Sequence, residues 1–414
     1  MKLGNKFLVQ KRLRLQFCPF NLQRSSFSLH TSSFTMPPVP PQKSAKILVA
    51  MSGGVDSAVT ASLLSKAGYD CVGVTMRLVP EHEGKSVFEP CCGLEAAEDA
   101  RRVCEKVGIP HQVMHAVDRF DRDIISHFVE EYQQGRTPNP CARCNRMIKF
   151  GALYQWADKI GADYIAMGHY ARLEQRGSRY SLRRAVHLPK DQSYVLSPLT
   201  QPQLRRAWFP LGEMTKEEVR EHAWGLDFAM ATKKESQEIC FIPHRDYAGW
   251  IEGRVAAMPM GPIKTTDGKV VGTHNGLMHY TIGQRRGLGV SSDRPYYVVR
   301  LDTAENAVIV GHAEETFSTA FRTGPVCWGG LPRQDEPFEC LVQLRSRHQA
   351  VPALVRPDLR GAEVVFETPE QAVTPGQWSV FYDREGFVLG AAIVQGFKLA
   401  QPAECAGLRG AASA

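Results

Sequence analysis

The stretch that most constrains this chain is Ala50-Met51-Ser52-Gly53-Gly54-Val55-Asp56-Ser57. It follows the apolar run Lys46-Ile47-Leu48-Val49 and precedes Ala58-Val59-Thr60-Ala61-Ser62-Leu63-Leu64-Ser65-Lys66. A short apolar run before a turn predicts a buried strand, and the Ala- and Leu-rich segment predicts a helix ending at Gly68. Gly53 and Gly54 then occupy a strand-to-helix turn. Lacking Cβ, they let backbone N–H groups close on an anion at a helix N-terminus. Ser52 and Ser57 add hydroxyl donors, and Asp56 can orient a hydrated Mg²⁺ beside phosphates. Two glycines alone would mean only a tight turn with capping serines; the full string is more specific.

The string carries neither the G-x-x-x-x-G-K-[ST] of a P-loop nor the G-x-G-x-x-G of a dinucleotide fold. Ser52-Gly53-Gly54-Val55-Asp56-Ser57 instead resembles the PP-loop of the N-type ATP pyrophosphatases, which cleave ATP to AMP and pyrophosphate and pass AMP to an oxygen. The resemblance implies that Ala50 to Ser57 bind ATP, with Mg²⁺ as the metal. Strand and helix patterns alternate after it. Strands are expected at Cys71–Met76, His111–Met114 and Tyr164–Met167, and helices at Glu95–Val107, Asp121–Gln134 and Met147–Ile160. Such alternation predicts a parallel sheet covered by helices, with ligands at the carboxyl ends of the strands. Met76 and Gly168 fall at such ends and join the expected ATP site, although a lone Met more often packs a core.

From about Thr215 the texture changes. A helix over Lys216–Trp224 leads to a loop at Thr232–Pro243. Short β-like runs follow: Val270-Val271, Tyr296–Leu301, Ala307–Val310, Phe338–Leu344, Glu363–Glu367 and Trp378–Tyr382. Short strands with frequent turns predict small barrels. The expected architecture is an α/β PP-loop domain over residues 46–212, resembling the adenine nucleotide alpha hydrolases. A central helical or small-barrel domain over 213–312, a C-terminal β-barrel over 313–400 and a frayed tail over 401–414 follow it.

At 414 residues with 43% hydrophobic and 22% charged content, the chain has an ordinary globular composition. No apolar run approaches the roughly 18 residues of a membrane span. The net charge of +7 permits a polyanionic partner without demanding one. Before Asp56 there is no acidic residue, while Lys2, Lys6, Lys11, Arg12, Arg14 and Arg24 are spread through a Ser- and Phe-containing stretch. Residues 1–45 therefore read as a transit peptide, the alternative being a disordered basic tail. A mitochondrial matrix location is expected, with a plastid, or a cytosolic form started at Met36, as alternatives.

Eleven cysteines in so long a chain do not make a disulfide scaffold. The informative pair lies in Thr137-Pro138-Asn139-Pro140-Cys141-Ala142-Arg143-Cys144-Asn145, where the prolines stiffen a loop. A C-x-x-C alone supports half a zinc site, a redox dithiol or an iron–sulfur ligand pair. Cys91 and Cys92 are adjacent, which is poor spacing for a second zinc pair. Cys240, in Glu235-Ser236-Gln237-Glu238-Ile239-Cys240-Phe241-Ile242, would by itself be a small core residue.

Taken together, these three stretches resemble the tRNA-specific 2-thiouridylases, which replace the C2 oxygen of the wobble uridine by sulfur. The likeness continues through Gly168-His169-Tyr170, Lys190-Asp191-Gln192-Ser193, Thr281-Ile282-Gly283-Gln284-Arg285-Arg286-Gly287-Leu288 and Val373-Thr374-Pro375-Gly376-Gln377. It implies that Cys240 carries a persulfide and that Cys144 attacks it or forms a disulfide with it. It also implies tRNA contacts at Asn139, Pro140, Cys141, Lys190, Asp191, Gln192, Arg345 and Ser346, a separate sulfur-donor protein and a monomer. Arg285 with Arg286, and Arg345 with Arg347 and His348, are basic clusters suited to phosphates, or else solvated faces. Better-known members carry Asp-x-x-Cys where this chain has Cys141-Ala142-Arg143-Cys144. A soft thiolate in place of the carboxylate favours metal, so Cys141, Cys144 and Cys240 are also candidate ligands of a [4Fe-4S] cluster. Two other functions are open: a PP-loop synthetase or amidotransferase acting on a small molecule, and a non-enzymatic RNA-binding iron–sulfur protein.

Overall fold

The computed structural model describes residues 44–79, 94–225, 239–242, 246–255 and 258–405, all within one compact unit, Met36–Ala414. The basic N-terminal segment, Cys91 with Cys92, the run from Glu235 to Glu238 and the end of the tail lie outside the described residues. Five parallel strands form the first sheet: β1 (Lys46–Ala50), β2 (Asp70–Arg77), β3 (His111–His115), β4 (Tyr164–Ala166) and, after the hairpin of β5 (Ala171–Arg176) and β6 (Arg179–Arg184), β7 (Ala207–Trp208). Their order is β3-β2-β1-β4-β7. Successive side chains of a strand point to opposite faces. Leu48 accordingly packs into one core cluster, and Ile47 and Val49 into another. Helices cover both faces, as a parallel sheet requires.

Helix α1 (Val55–Lys66) has Asp56 in its first turn and Lys66 in its last, matching the helix dipole at both ends. Helix α2 (Leu94–Val107) buries Ala96, Ala100, Val103 and Cys104, one face at helical spacing. Between Val117 and Gln133 the chain is helical with a π-type stretch over Asp121–Ser126.

The C-x-x-C differs from the stiffened loop expected for it. It lies on a helix, α3 (Pro140–Cys144), because Asn139 caps the start by accepting a hydrogen bond from the Ala142 N–H at 3.0 Å. Pro140 occupies the first helical turn, where its missing N–H costs nothing. The chain runs on through a π-type stretch, Asn145–Ala152, into Leu153–Lys159, so the helix expected from Met147 begins at Pro140.

Helix α4 (Lys216–Gly225) packs against α1. Four strands, β8 (Gly261–Thr265), β9 (Val270–His274), β10 (Tyr297–Asp302) and β11 (Ala307–Gly311), then form a sheet in the order β10-β11-β8-β9. The last six strands close into a barrel: β12 (Phe317–Thr323), β13 (Phe338–Gln343), β14 (Val351–Pro357), β15 (Ala362–Gln371), β16 (Trp378–Tyr382) and β17 (Val388–Leu399). Inward-facing Phe321, Val342, Val355, Val364, Phe381 and Val394 fill it. No helix among the described residues is long and apolar enough to cross a membrane.

Candidate nucleotide and thiol site

Gly53 has φ +69°, and a Cβ there would come within 2.6 Å of the Ala96 carbonyl oxygen, so both backbone and space require glycine. The Ser57 hydroxyl donates to the Gly54 carbonyl at 2.9 Å and accepts from the Ser52 N–H at 3.2 Å. Ser57 is buried by that role, whereas Ser52 is exposed. Gly54 is the N-cap of α1, and Ala50, Val55 and Asp56 are half-buried around the turn. Met51 is buried beneath it. Gly168 follows β4 and lies against the same turn: a Cβ on it would sit 2.7 Å from the Asp56 backbone. Met76, at the end of β2, is buried in the core.

Asp56 is the electrostatic centre of this turn. Its Oδ1 accepts from the Tyr170 hydroxyl at 2.9 Å and from the Lys216 ammonium at 2.7 Å. Lys216 escaped the sequence reading of the site: it stands 160 positions from Asp56, and nothing in its own helix marks it. Asp56 keeps a third of its side chain exposed. A hard carboxylate oxygen at the mouth of a glycine-rich strand-to-helix turn fits Mg²⁺, which is commonly held by one or two carboxylates, substrate phosphates and water. His169 is buried, and its Nδ1 has no hydrogen-bond partner among the described residues. Burial first, and the Lys149 charge second, hold its pKa well below the ordinary histidine value.

The thiols lie farther along the same core. Cys144 is buried within the cluster that includes Phe128 and Ile148, and Cys240 is half-buried against it. Phe241, next to Cys240, stands 5.7 Å from the Phe120 ring, 5.4 Å from Phe128 and 5.2 Å from Trp250. Cys141 is exposed. All three carry thiols, with no disulfide between Cys144 and Cys240. Soft thiolates suit a [4Fe-4S] cluster chemically; among the described residues no group of three or more Cys, His, Asp or Glu side chains gathers as a metal site.

The candidate RNA contacts divide into exposed and inward-facing groups. Arg345, Ser346, Arg285 and Arg286 are exposed, and Lys190 is half-exposed. Asp191 faces inward: its carboxylate accepts from the Ala185 N–H at 2.9 Å, the Ser193 hydroxyl at 2.7 Å and Arg184 Nη1 at 3.2 Å. Gln192 Oε1 accepts from the Tyr170 N–H at 2.9 Å, joining this stretch to the residue that holds Asp56. Pro140 is buried and Asn139 caps α3. The preceding Thr137 is clamped by the barrel, where its N–H donates to the Pro375 carbonyl and Gln377 Nε2 donates to its carbonyl at 2.8 Å.

The sequence matches three family descriptions in order. These are a tRNA methyl transferase HUP domain over residues 45–244, a tRNA methyl transferase PRC-barrel domain over 249–312 and an aminomethyltransferase beta-barrel domain over 318–394. It is similar to the tRNA-specific 2-thiouridylase MnmA of Heliobacterium modesticaldum, 44% identical over 364 residues, covering 86% of this chain and 94% of that protein. It is also similar to the Roseiflexus castenholzii protein of that name, 45% identical over 375 residues, covering 86% of this chain and all of the relative. A PP-loop on a parallel sheet, thiols on one core, a closed barrel and these full-length similarities lead to one conclusion. The chain belongs to the tRNA-specific 2-thiouridylase family.

Proposed function

We infer that the protein is an ATP-dependent sulfurtransferase that 2-thiolates the wobble uridine of tRNA. The observation that carries this reading is the formed PP-loop, with Asp56 at its mouth, on the same domain as Cys144 and the Cys240 stretch. A pyrimidine C2 carbonyl is a poor electrophile and oxide a poor leaving group. The uridine O2 attacks the α-phosphorus of ATP, the bond to the bridging oxygen breaks, and pyrophosphate leaves. Asp56 would hold Mg²⁺, which would supply positive charge to offset the phosphates. Cys144 thiolate then attacks the inner sulfur of a Cys240 persulfide, and the S–S bond to the terminal sulfur breaks. Hydrosulfide adds to C2 and AMP departs. A Cys144–Cys240 disulfide remains, and a thiol reductant returns two electrons before the next cycle. A sulfur-donor protein reloads Cys240.

For the RNA, exposed Arg345, Ser346, Arg285 and Arg286 and half-exposed Lys190 suit phosphates, and the Asp191 carboxylate fixes its own stretch of chain through Ala185, Ser193 and Arg184. Cys144 and Cys240 lie on one core while Cys141 is exposed, which favours a persulfide passed between the first two over a cluster held by all three. Labelled ATP with bulk tRNA tests the assignment: pyrophosphate release should require tRNA and disappear in Asp56→Ala, and 2-thiouridine should accumulate. Release without tRNA would indicate a small-molecule synthetase, and no release a binding protein.

The acid-free residues before Lys46 support a mitochondrial matrix location. A reporter fused to Met1–Pro41 should enter mitochondria and be cleaved; a diffuse cytosolic signal would remove that part of the proposal.

A further inference from the structure

Lys216 begins α4, distant in sequence from the PP-loop, yet only 4% of it is exposed. Lysine is almost never so buried unless paired, because its charge must leave water. Here the ammonium lies 2.7 Å from Asp56 Oδ1 and 5.6 Å from the centre of the Tyr170 ring. Asp56 is in the first turn of α1, so a fixed positive charge stands at the phosphate-binding end of that helix.

The PP-loop itself lacks a cation. Ala50 to Ser57 contains no Lys or Arg, whereas a P-loop supplies a lysine to the β- and γ-phosphates from within its own motif. Pyrophosphate gains charge as its bond to the α-phosphorus breaks, and a preorganised cation in a site shielded from water stabilises that change most. We propose that Lys216 is a catalytic residue of the adenylation step, binding the β,γ-phosphate end of ATP and stabilising pyrophosphate as it leaves. This rests on the PP-loop being the ATP site. Before nucleotide enters, Asp56 holds the ammonium in place. Phosphates then compete for it, while the Tyr170 hydroxyl, 2.9 Å from the same Oδ1, keeps the carboxylate positioned.

The test is binding of ATP and AMP, measured calorimetrically in EDTA, to the wild-type full chain, Lys216→Met and Lys216→Gln. AMP lacks the β- and γ-phosphates and therefore reports the rest of the site. In Lys216→Met, ATP should bind roughly tenfold more weakly, the loss of a charge-assisted contact, with AMP affinity unchanged. Lys216→Gln keeps a donor for Asp56 and drops the charge, so the same split is expected there even if the Met variant fails to fold. With Mg²⁺ and tRNA added, pyrophosphate release should fall by about 100-fold. Equal loss of ATP and AMP binding would make Lys216 a structural support, and undiminished ATP binding would also overturn the proposal. A wild-type protein that binds neither nucleotide would instead remove the ATP-site reading itself, and the role of Lys216 with it.

Discussion

Cys141 stands where the family resemblance implies the Asp of an Asp-x-x-Cys, and it is exposed on α3. Cys144 is buried and Cys240 half-buried, and among the described residues no three Cys, His, Asp or Glu side chains gather as a metal site. Cys141→Asp separates the two chemistries. A carboxylate suits a soft iron–sulfur site poorly, so a cluster enzyme would lose most of its activity. A persulfide enzyme should keep it, because the substitution creates the Asp-x-x-Cys that the family resemblance implies. We expect Cys141→Asp, purified anaerobically, to form 2-thiouridine without added iron. Iron-dependent turnover by the wild type, lost in the variant, would reverse that conclusion.

At the scale of elements, the Cys240 stretch is fixed by one side chain beside the thiol. Phe241 is buried among Phe120, Phe128 and Trp250, and so ties a short turn to the helical run that begins at Val117. Edge-to-face aromatic contacts add to the burial of the ring. Phe241→Leu keeps the site apolar and should cost up to about 1.5 kcal/mol, a loss that denaturant unfolding can measure. Its functional consequence should be selective: 2-thiouridine formation slows while tRNA-dependent pyrophosphate release persists, since the nucleotide turn is a separate element. Equal decline of both rates would show that the aromatic cluster does not act through Cys240. The α3 helix is held in a comparable way from outside, by Gln377 of the barrel on the Thr137 carbonyl.

Across the whole molecule, the catalytic domain and the C-terminal barrel meet at Arg184. Its Nη1 donates to Asp191 at 3.2 Å, its Nη2 to Gln343 at 2.8 Å, and its guanidinium lies 3.9 Å from the centre of the Tyr382 ring. Gln343 in turn donates to the carbonyls of Arg345 and Ser346 at 3.1 and 3.0 Å. One side chain therefore joins the Lys190–Gln192 stretch to the exposed Arg345 turn. Arg184→Met keeps the aliphatic stem over Tyr382 but removes the fork, at a cost of about 1.5–3 kcal/mol for hydrogen bonds to a charged group. The KM for tRNA should rise while the KM for ATP stays near wild type. A matching rise for ATP would mean that Arg184 supports the nucleotide domain instead.

What the sequence by itself determined is local: a glycine-rich strand-to-helix turn in eight consecutive residues and the α/β half before the β half. These were legible because a strand-to-helix turn with glycine at φ +69° is specified by neighbouring residues. The barrel was only partly legible. Strands β13, β15 and β16 carry strong apolar runs, whereas β14, with Pro352 and Pro357 near its ends, is a strand because both neighbours pair with it. Lys216 on Asp56 and Arg184 on Gln343 left no trace in any local pattern, since their partners stand 160 and 159 positions away. Only the tertiary structure decided them. A buried charge is tolerated where packing brings its counter-charge within a few ångströms, and that distance is a property of the folded chain.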